Sequence, residues 1–125
     1  MKGGLNMSKI SLKEIISDYI EDMKKISPSY GAKSFADQSE ISRTFVWSVL
    51  KKNDIRNFSR NIIEGISKTI KMTPEYLKYV LKSDDGREIY NNRKMLLEKA
   101  NNILQQSSNE EIETYLNLIE KISKL

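Results

Sequence analysis

Cysteine and histidine are both absent from the 125-residue chain. Their absence excludes disulfides, thiolate nucleophiles, imidazole bases and the zinc sites that depend on these ligands. Apolar runs are far shorter than the roughly 20 residues that a membrane span requires, and no apolar signal region follows Lys2. The sequence therefore predicts a cytoplasmic protein that needs no cofactor or metal and has no membrane partner.

Glycine and proline are also scarce, and two of the five glycines fall in the first six residues. This opening stretch lacks apolar periodicity, which predicts a flexible tail over residues 1–9. Met7 is an alternative start to Met1. The remaining length has room for about one domain and a small appendage.

Positive charge is unevenly distributed along the chain. Residues 1–83 contain 15 lysines and arginines against 9 acids, whereas residues 84–125 contain 6 against 8. Between Arg43 and Arg60 the only acid is Asp54. This concentration of positive charge suits a polyanion such as DNA, and a solvated basic face is the alternative interpretation.

Apolar residues recur at helical spacing along almost the whole chain, which predicts an all-α fold. Capping residues and turn residues divide the first part of the chain, residues 10–83, into five helices. They are predicted from about Leu12 to Ile26, over 32–38, over 42–52, after the cap Ser59, and from Thr73-Pro74 onward.

The tetrapeptide SDDG at 83–86 interrupts this pattern, and two longer helical segments follow. Residues 84–125 are therefore predicted to form a helical hairpin with an apolar stripe on each helix. We predict that the stripes pair two subunits, and packing on the chain's own domain is the alternative. The predicted dimer residues are Ile89, Leu96, Leu97, Ile103, Leu104, Ile112, Leu116, Ile119 and Ile122.

Clustered acids at Asp84-Asp85 and at 110–113 resemble the carboxylates of acid–base or metal sites. Acids at helix starts are already explained by the helix macrodipole, and no histidine accompanies them. The sequence therefore predicts that the protein is not an enzyme.

The third helix has an outward face of small polar side chains. With Val46 at the centre of its buried side, a rotation of about 100° per residue places Thr44 and Ser48 on the opposite side. Phe45 and Trp47 fall on the two flanks. Such a helix, preceded by a short helix and a tight turn in a basic chain, suits insertion into the DNA major groove.

The segment from Phe35 to Leu77 resembles the helix-turn-helix of the Cro and phage-repressor group, often called the XRE family. The resemblance rests on Phe35-Ala36, on the tripeptide ISR that leads into the third helix, and on valines at that helix's core positions. With the first helix it covers about residues 10–82. It implies a five-helix, lambda-repressor-like DNA-binding domain over residues 10–83.

Family members contact bases with the start of the third helix and with residues one turn later. The resemblance therefore implies base contacts by Arg43, Thr44, Ser48 and Trp47. The opening of the second helix, the end of the third and the following loop contact phosphates in the family. This implies phosphate contacts by Lys33, Ser34, Lys51, Lys52 and Asn53, and Arg56 of the same basic stretch is grouped with them.

Some of these side chains have a second interpretation. Arg43 can bond to guanine in a bidentate manner or can clamp a phosphate. Trp47, like Phe45, more often completes a core than contacts a thymine methyl. Glu40 stands where the family often has a glycine, which predicts a distorted turn, and the base-facing glutamines of some members are missing.

Together these features predict a bacterial or phage-encoded transcriptional regulator that binds double-stranded DNA. We expect a homodimeric repressor that inserts helix 42–52 into an inverted-repeat operator. An antitoxin or adaptor that binds a protein partner is the alternative from another class. A non-specific nucleic-acid binder is the third hypothesis.

Overall fold

The computed structural model describes residues 8–52 and 59–124, and in these residues every regular element is a helix. The all-α prediction is therefore confirmed. No helix of the described residues combines the length and the apolar character that a membrane crossing needs. The seven helices are α1 Leu12–Lys24, α2 Ala32–Ser39, α3 Arg43–Lys52, α4 Arg60–Ile70, α5 Pro74–Lys82, α6 Gly86–Gln105 and α7 Asn109–Ser123.

The helix starts follow the capping residues of the sequence. The hydroxyl of Ser11 accepts from the amide of Glu14 at 3.1 Å, and the carboxylate of Glu14 accepts in return from the amide of Ser11. The hydroxyls of Ser42, Ser59 and Thr73 likewise accept from an amide in the first turn of α3, α4 and α5, without a reciprocal carboxylate. Each hydroxyl satisfies an amide that the first helical turn leaves without a partner. The caps predicted at Ser59 and Thr73 are confirmed.

The first helix ends earlier than the sequence predicts. It stops at Lys24, and Ile26, where the helix was predicted to end, is 80% exposed. The amide of Ser27 donates to the carbonyl of Met23 at 2.8 Å and closes a turn ahead of Pro28. Because proline disfavours helical geometry in the residue before it, the chain leaves the helix here. The prediction for Ile26 is wrong.

The core of the first five helices lies between the apolar stripes. The closely packed pairs are α2 with α3, α2 with α4, α4 with α5, and α1 with α3. The buried apolar residues are Ile10, Leu12, Ile15, Ile16, Ile20, Phe35, Ala36, Val46, Val49, Ile63, Ile66, Leu77 and Val80. Five further large side chains are only half-buried: Tyr19, Met23, Leu50, Ile62 and Ile70.

The turn between α2 and α3 has regular left-handed geometry. Glu40 adopts φ 58° and ψ 41°, and the amide of Ile41 donates to the carbonyl of Ala36 at 3.0 Å. This hydrogen bond closes a helix end of the type that glycine usually terminates. The distortion predicted for Glu40 is not found, although a side chain in this conformation costs about 1–2 kcal/mol.

The end of α2 is held closely against α4. Gly65 of α4 faces the backbone carbonyl of Ser39 so closely that a Cβ atom at position 65 would overlap it. The buried hydroxyls of Ser39 and Thr69 share a hydrogen bond of 2.7 Å. Because α2 is anchored at its last residue, the turn into α3 starts from a defined position.

The chain divides into two compact units, Met1–Ile89 and Tyr90–Leu125. The first unit extends past residue 83, where the sequence analysis ended the DNA-binding domain. Gly86 is buried against the carbonyl of Val80, and Arg87 forms a bidentate ion pair with Glu14, with Nε–Oε2 2.9 Å and Nη2–Oε1 2.7 Å. The start of α6 is thereby attached to α1 and α5.

The second unit consists of the remainder of α6 and of α7, joined by the short turn at 106–108. α7 begins after a serine cap, because the hydroxyl of Ser108 accepts from the amide of Glu111 at 3.2 Å. α6 and α7 are not among the closely packed helix pairs of the described chain. The two helices of the predicted hairpin therefore do not bury their apolar stripes against each other.

Candidate nucleic-acid interface

The two sides of α3 differ sharply in burial. Val46 and Val49 are 0% and 2% exposed, whereas Thr44 and Lys51 on the opposite side are exposed. Ser48 is half-buried, so it is less accessible than its position on the helix suggests. The buried valines anchor the helix in the core, and the polar residues remain available to a partner.

The two aromatic flanks of α3 have different surroundings. Phe45 is half-buried, while Trp47 is 53% exposed. About half of the Trp47 side chain is therefore not packed in the core, contrary to the interpretation that it completes the core. Trp47 lies three residues after Thr44, so the two side chains are neighbours on the helix surface.

Arg43 is held by an acid that the sequence analysis missed. Its Nε and Nη2 atoms donate to Oδ1 and Oδ2 of Asp37, both at 3.0 Å, and both side chains are about half exposed. The Arg43 hydrogen bond lowers the pKa of the Asp37 carboxyl, and the same bond raises the pKa of Arg43. The signal in the sequence was an acid in the last turn of α2, shortly before the arginine that begins α3.

The start of α2 presents a lysine and a partly shielded serine. Lys33 is exposed, and the half-buried Ser34 hydroxyl accepts from the amide of Gly31 at 3.3 Å. The amides of a helix start and a nearby lysine suit an anion such as phosphate. Of the two predicted phosphate contacts here, Lys33 is the more accessible.

The end of α3 carries the other predicted phosphate contacts. Lys51 is exposed, and Lys52 is the last residue of the helix. The side chain of Lys52, together with Asn53 and Arg56, lies outside the described residues. These three phosphate contacts stay predictions.

The apolar residues of the second unit form a large exposed set. Ile112 and, at the end of the first unit, Ile89 are half-buried. The other seven predicted dimer residues are exposed, from 37% at Leu104 to 65% at Leu96. Met95 and Leu118 are exposed as well, and neither was predicted. Met95 lies outside the predicted apolar stripe of α6.

Acidic groups of the described residues do not gather into a site. In residues 8–52 and 59–124 no group of three acids is placed to hold a metal ion. The polar groups that α3 offers are the half-exposed guanidinium of Arg43, the hydroxyl of Thr44 and the ammonium of Lys51. Such donors bind phosphate oxygens and the acceptor edges of bases.

Comparison with known proteins gives no relative for the chain: no family model matches it, and no curated protein or solved structure matches it. The resemblance to the XRE family therefore rests on the residues of the chain themselves.

Proposed function

We propose that the protein is a sequence-specific regulator that binds double-stranded DNA by inserting α3 into the major groove. The observation that carries this proposal is the exposed polar face of α3, opposite a side buried in the core. The face includes Thr44 and Lys51, and the exposed Arg43 lies on its flank at the start of the helix. Arginine and small hydroxyls at the start of a helix are the groups that contact base edges in helix-turn-helix proteins.

The packing of α2 supports the same function. In a helix-turn-helix the helix before the recognition helix crosses the DNA backbone and fixes the depth of insertion. Here α2 packs on both α3 and α4, and a regular turn at Glu40 joins it to α3. Lys33 at the exposed start of α2 would bind a phosphate, and Lys51 would bind another at the far end of α3.

We propose further that two copies pair through α6 and α7 and that the dimer acts as a repressor on an inverted repeat. Seven of the predicted dimer residues are exposed, and exposed apolar surface of this extent is typical of interaction sites. In α6 the residues Ile89, Leu96 and Ile103 recur at intervals of seven, as do Leu97 and Leu104. That interval is typical of helices that pack against another helix.

A second copy is the partner that suits these helices best. Isolated helices are marginally stable in water, so α6 and α7 need a packing partner to remain helical. Residues 84–125 carry more acids than bases, so this surface does not compete with the basic first unit for DNA. A two-fold dimer would present two α3 helices to two half-sites.

Selection of bound sequences from random duplex DNA tests both parts of the proposal. The expected product is an inverted repeat whose halves lie about one helical turn, roughly 34–36 Å, apart. Steep salt dependence without any enriched sequence would favour the non-specific nucleic-acid binder instead. Absence of DNA binding would favour the antitoxin or adaptor.

A further inference from the structure

Asp37 and Arg43 are each unfavourably placed when considered alone. Asp37 lies in the last turn of α2, where the helix macrodipole disfavours a negative charge. Arg43 is the first residue of α3, where the macrodipole disfavours a positive charge. Asp37 would also repel phosphates on a surface proposed to face DNA. The bidentate pair of the two side chains accounts for both placements.

The pair with Asp37 uses only one edge of the guanidinium. Asp37 accepts from Nε and Nη2, which is the side edge of the group. A guanidinium has five N–H donors, so the two N–H groups of Nη1 and one of Nη2 remain for another acceptor. Donors on Nη1 and Nη2 together match the O6 and N7 acceptors of guanine.

We infer that Asp37 is a positioning residue that orients Arg43 for bidentate recognition of guanine, an inference that rests on the proposed function of α3. A held guanidinium loses less side-chain freedom when it meets a base than a free one does. The carboxylate also makes the same arginine a poor phosphate clamp, because it repels the DNA backbone. Asp37 therefore raises discrimination between sequences and lowers affinity for DNA in general.

A simpler role would give a different result. Exposed ion pairs are generally weak, and DNA would then displace Asp37 from Arg43 on binding. In that case removing the charge of Asp37 would strengthen binding to every duplex equally. Discrimination at the base pair contacted by Arg43 would be unchanged.

The test uses the full chain and two duplexes at one fixed salt concentration. One is the sequence preferred in the random selection, and the other is changed at the single base pair whose discrimination Arg43→Ala abolishes. Asp37→Asn keeps the shape of the side chain and removes its charge. Glu64→Gln is the matched control, because it removes one charge from another exposed pair, Glu64 with Arg60 on α4.

We expect Asp37→Asn to lower the affinity ratio of the two duplexes on the order of tenfold and to raise affinity for random duplex DNA. Glu64→Gln should keep the ratio. A general charge effect would raise affinity for both duplexes equally and leave the ratio unchanged, so the ratio separates positioning from charge. Circular dichroism of each variant checks that the helices are retained.

An unchanged ratio in folded Asp37→Asn would overturn the inference. Arg43→Lys provides a second variant. Lysine keeps the charge, but its ammonium cannot bond to Asp37 with one edge and to guanine with another. It should lower the ratio by a similar factor, and full retention would contradict the inference. A wild-type protein without sequence preference would overturn the proposed function itself.

Discussion

Arg43 is the side chain on which the proposed base recognition most depends, because it begins α3 and keeps free donors beside Asp37. Arg43→Ala should weaken binding to the preferred site by about 1–3 kcal/mol and flatten discrimination at one base pair. Ser48→Ala should have a smaller effect, since Ser48 is half-buried. Titration of specific and random duplexes measures both. Equal losses on the two duplexes would make Arg43 a phosphate contact.

Lys51 is exposed at the far end of the same helix and is proposed to bind a phosphate. Lys51→Gln should weaken binding to all duplexes alike and lower the slope of log affinity against log salt by about one unit. Lys121→Gln on α7 is the control with the same charge change. If Lys51→Gln leaves the slope unaltered, this end of α3 does not belong to the proposed DNA-binding surface.

The Asp37 carboxyl should remain charged at lower pH than an ordinary aspartate. The Arg43 hydrogen bond lowers its pKa below the usual 3.8. Because the folded pKa lies below the unfolded one, the pair stabilises the fold above pH 3.8 and loses this effect as pH falls through the folded pKa. An NMR titration of the carboxyl carbon measures the midpoint. Arg43→Ala should bring it back toward 3.8, and a wild-type midpoint at or above 3.8 would contradict the pair.

At the scale of the helices, the contact between the end of α2 and α4 should be sensitive to a single methyl group. A Cβ at Gly65 would overlap the carbonyl of Ser39. Gly65→Ala should therefore lower the free energy of unfolding by about 1–3 kcal/mol, since the two helices must separate. Chemical denaturation measures the change.

Gly31→Ala is the control for this contact, because its added Cβ meets no atom within 4 Å of the described residues and its backbone is extended. It should lose only roughly 0.5 kcal/mol, from the poorer helix cap that alanine makes. Equal losses of stability in the two variants would show that the close approach of α2 and α4 does not cause the effect of Gly65→Ala.

At the scale of the whole molecule, the first unit should fold without the second. A chain that ends after Ile89 keeps the buried Gly86 and the ion pair of Arg87 with Glu14. It should be monomeric and bind an inverted repeat weakly, because the two DNA-binding units are no longer joined to each other. Its affinity for a single half-site should change much less. Sedimentation and circular dichroism of both chains provide the measurement.

Leu116→Asp in the full chain tests the same surface without a truncation. Leu116 is exposed on the apolar stripe of α7, and its neighbour Asn117 is exposed outside it. Leu116→Asp should dissociate the proposed dimer, whereas Asn117→Asp should leave it intact. A full-length monomer at micromolar concentration, or a dimer of the chain that ends at Ile89, would remove α6 and α7 as the dimer interface.

Most helices and their first residues can be predicted from the sequence alone. A cap is formed between residues three positions apart, as at Ser11 and Glu14, and an apolar stripe repeats every turn. Both are local properties, so the seven helices and the polar outward side of α3 follow from them. The end of α1 was misjudged because periodicity continues through Ile26 although the chain turns ahead of Pro28.

Other features depend on residues that are distant along the chain or on how helices pack. Glu14 and Arg87 are 73 positions apart, so no local pattern shows that α6 begins within the first unit. The pair of Asp37 with Arg43 requires the left-handed turn at Glu40 that brings α2 and α3 together. The half-exposed Trp47 depends likewise on neighbouring helices. Spacing along the chain tells which way a side chain points from its own helix, and only packing tells what it meets there.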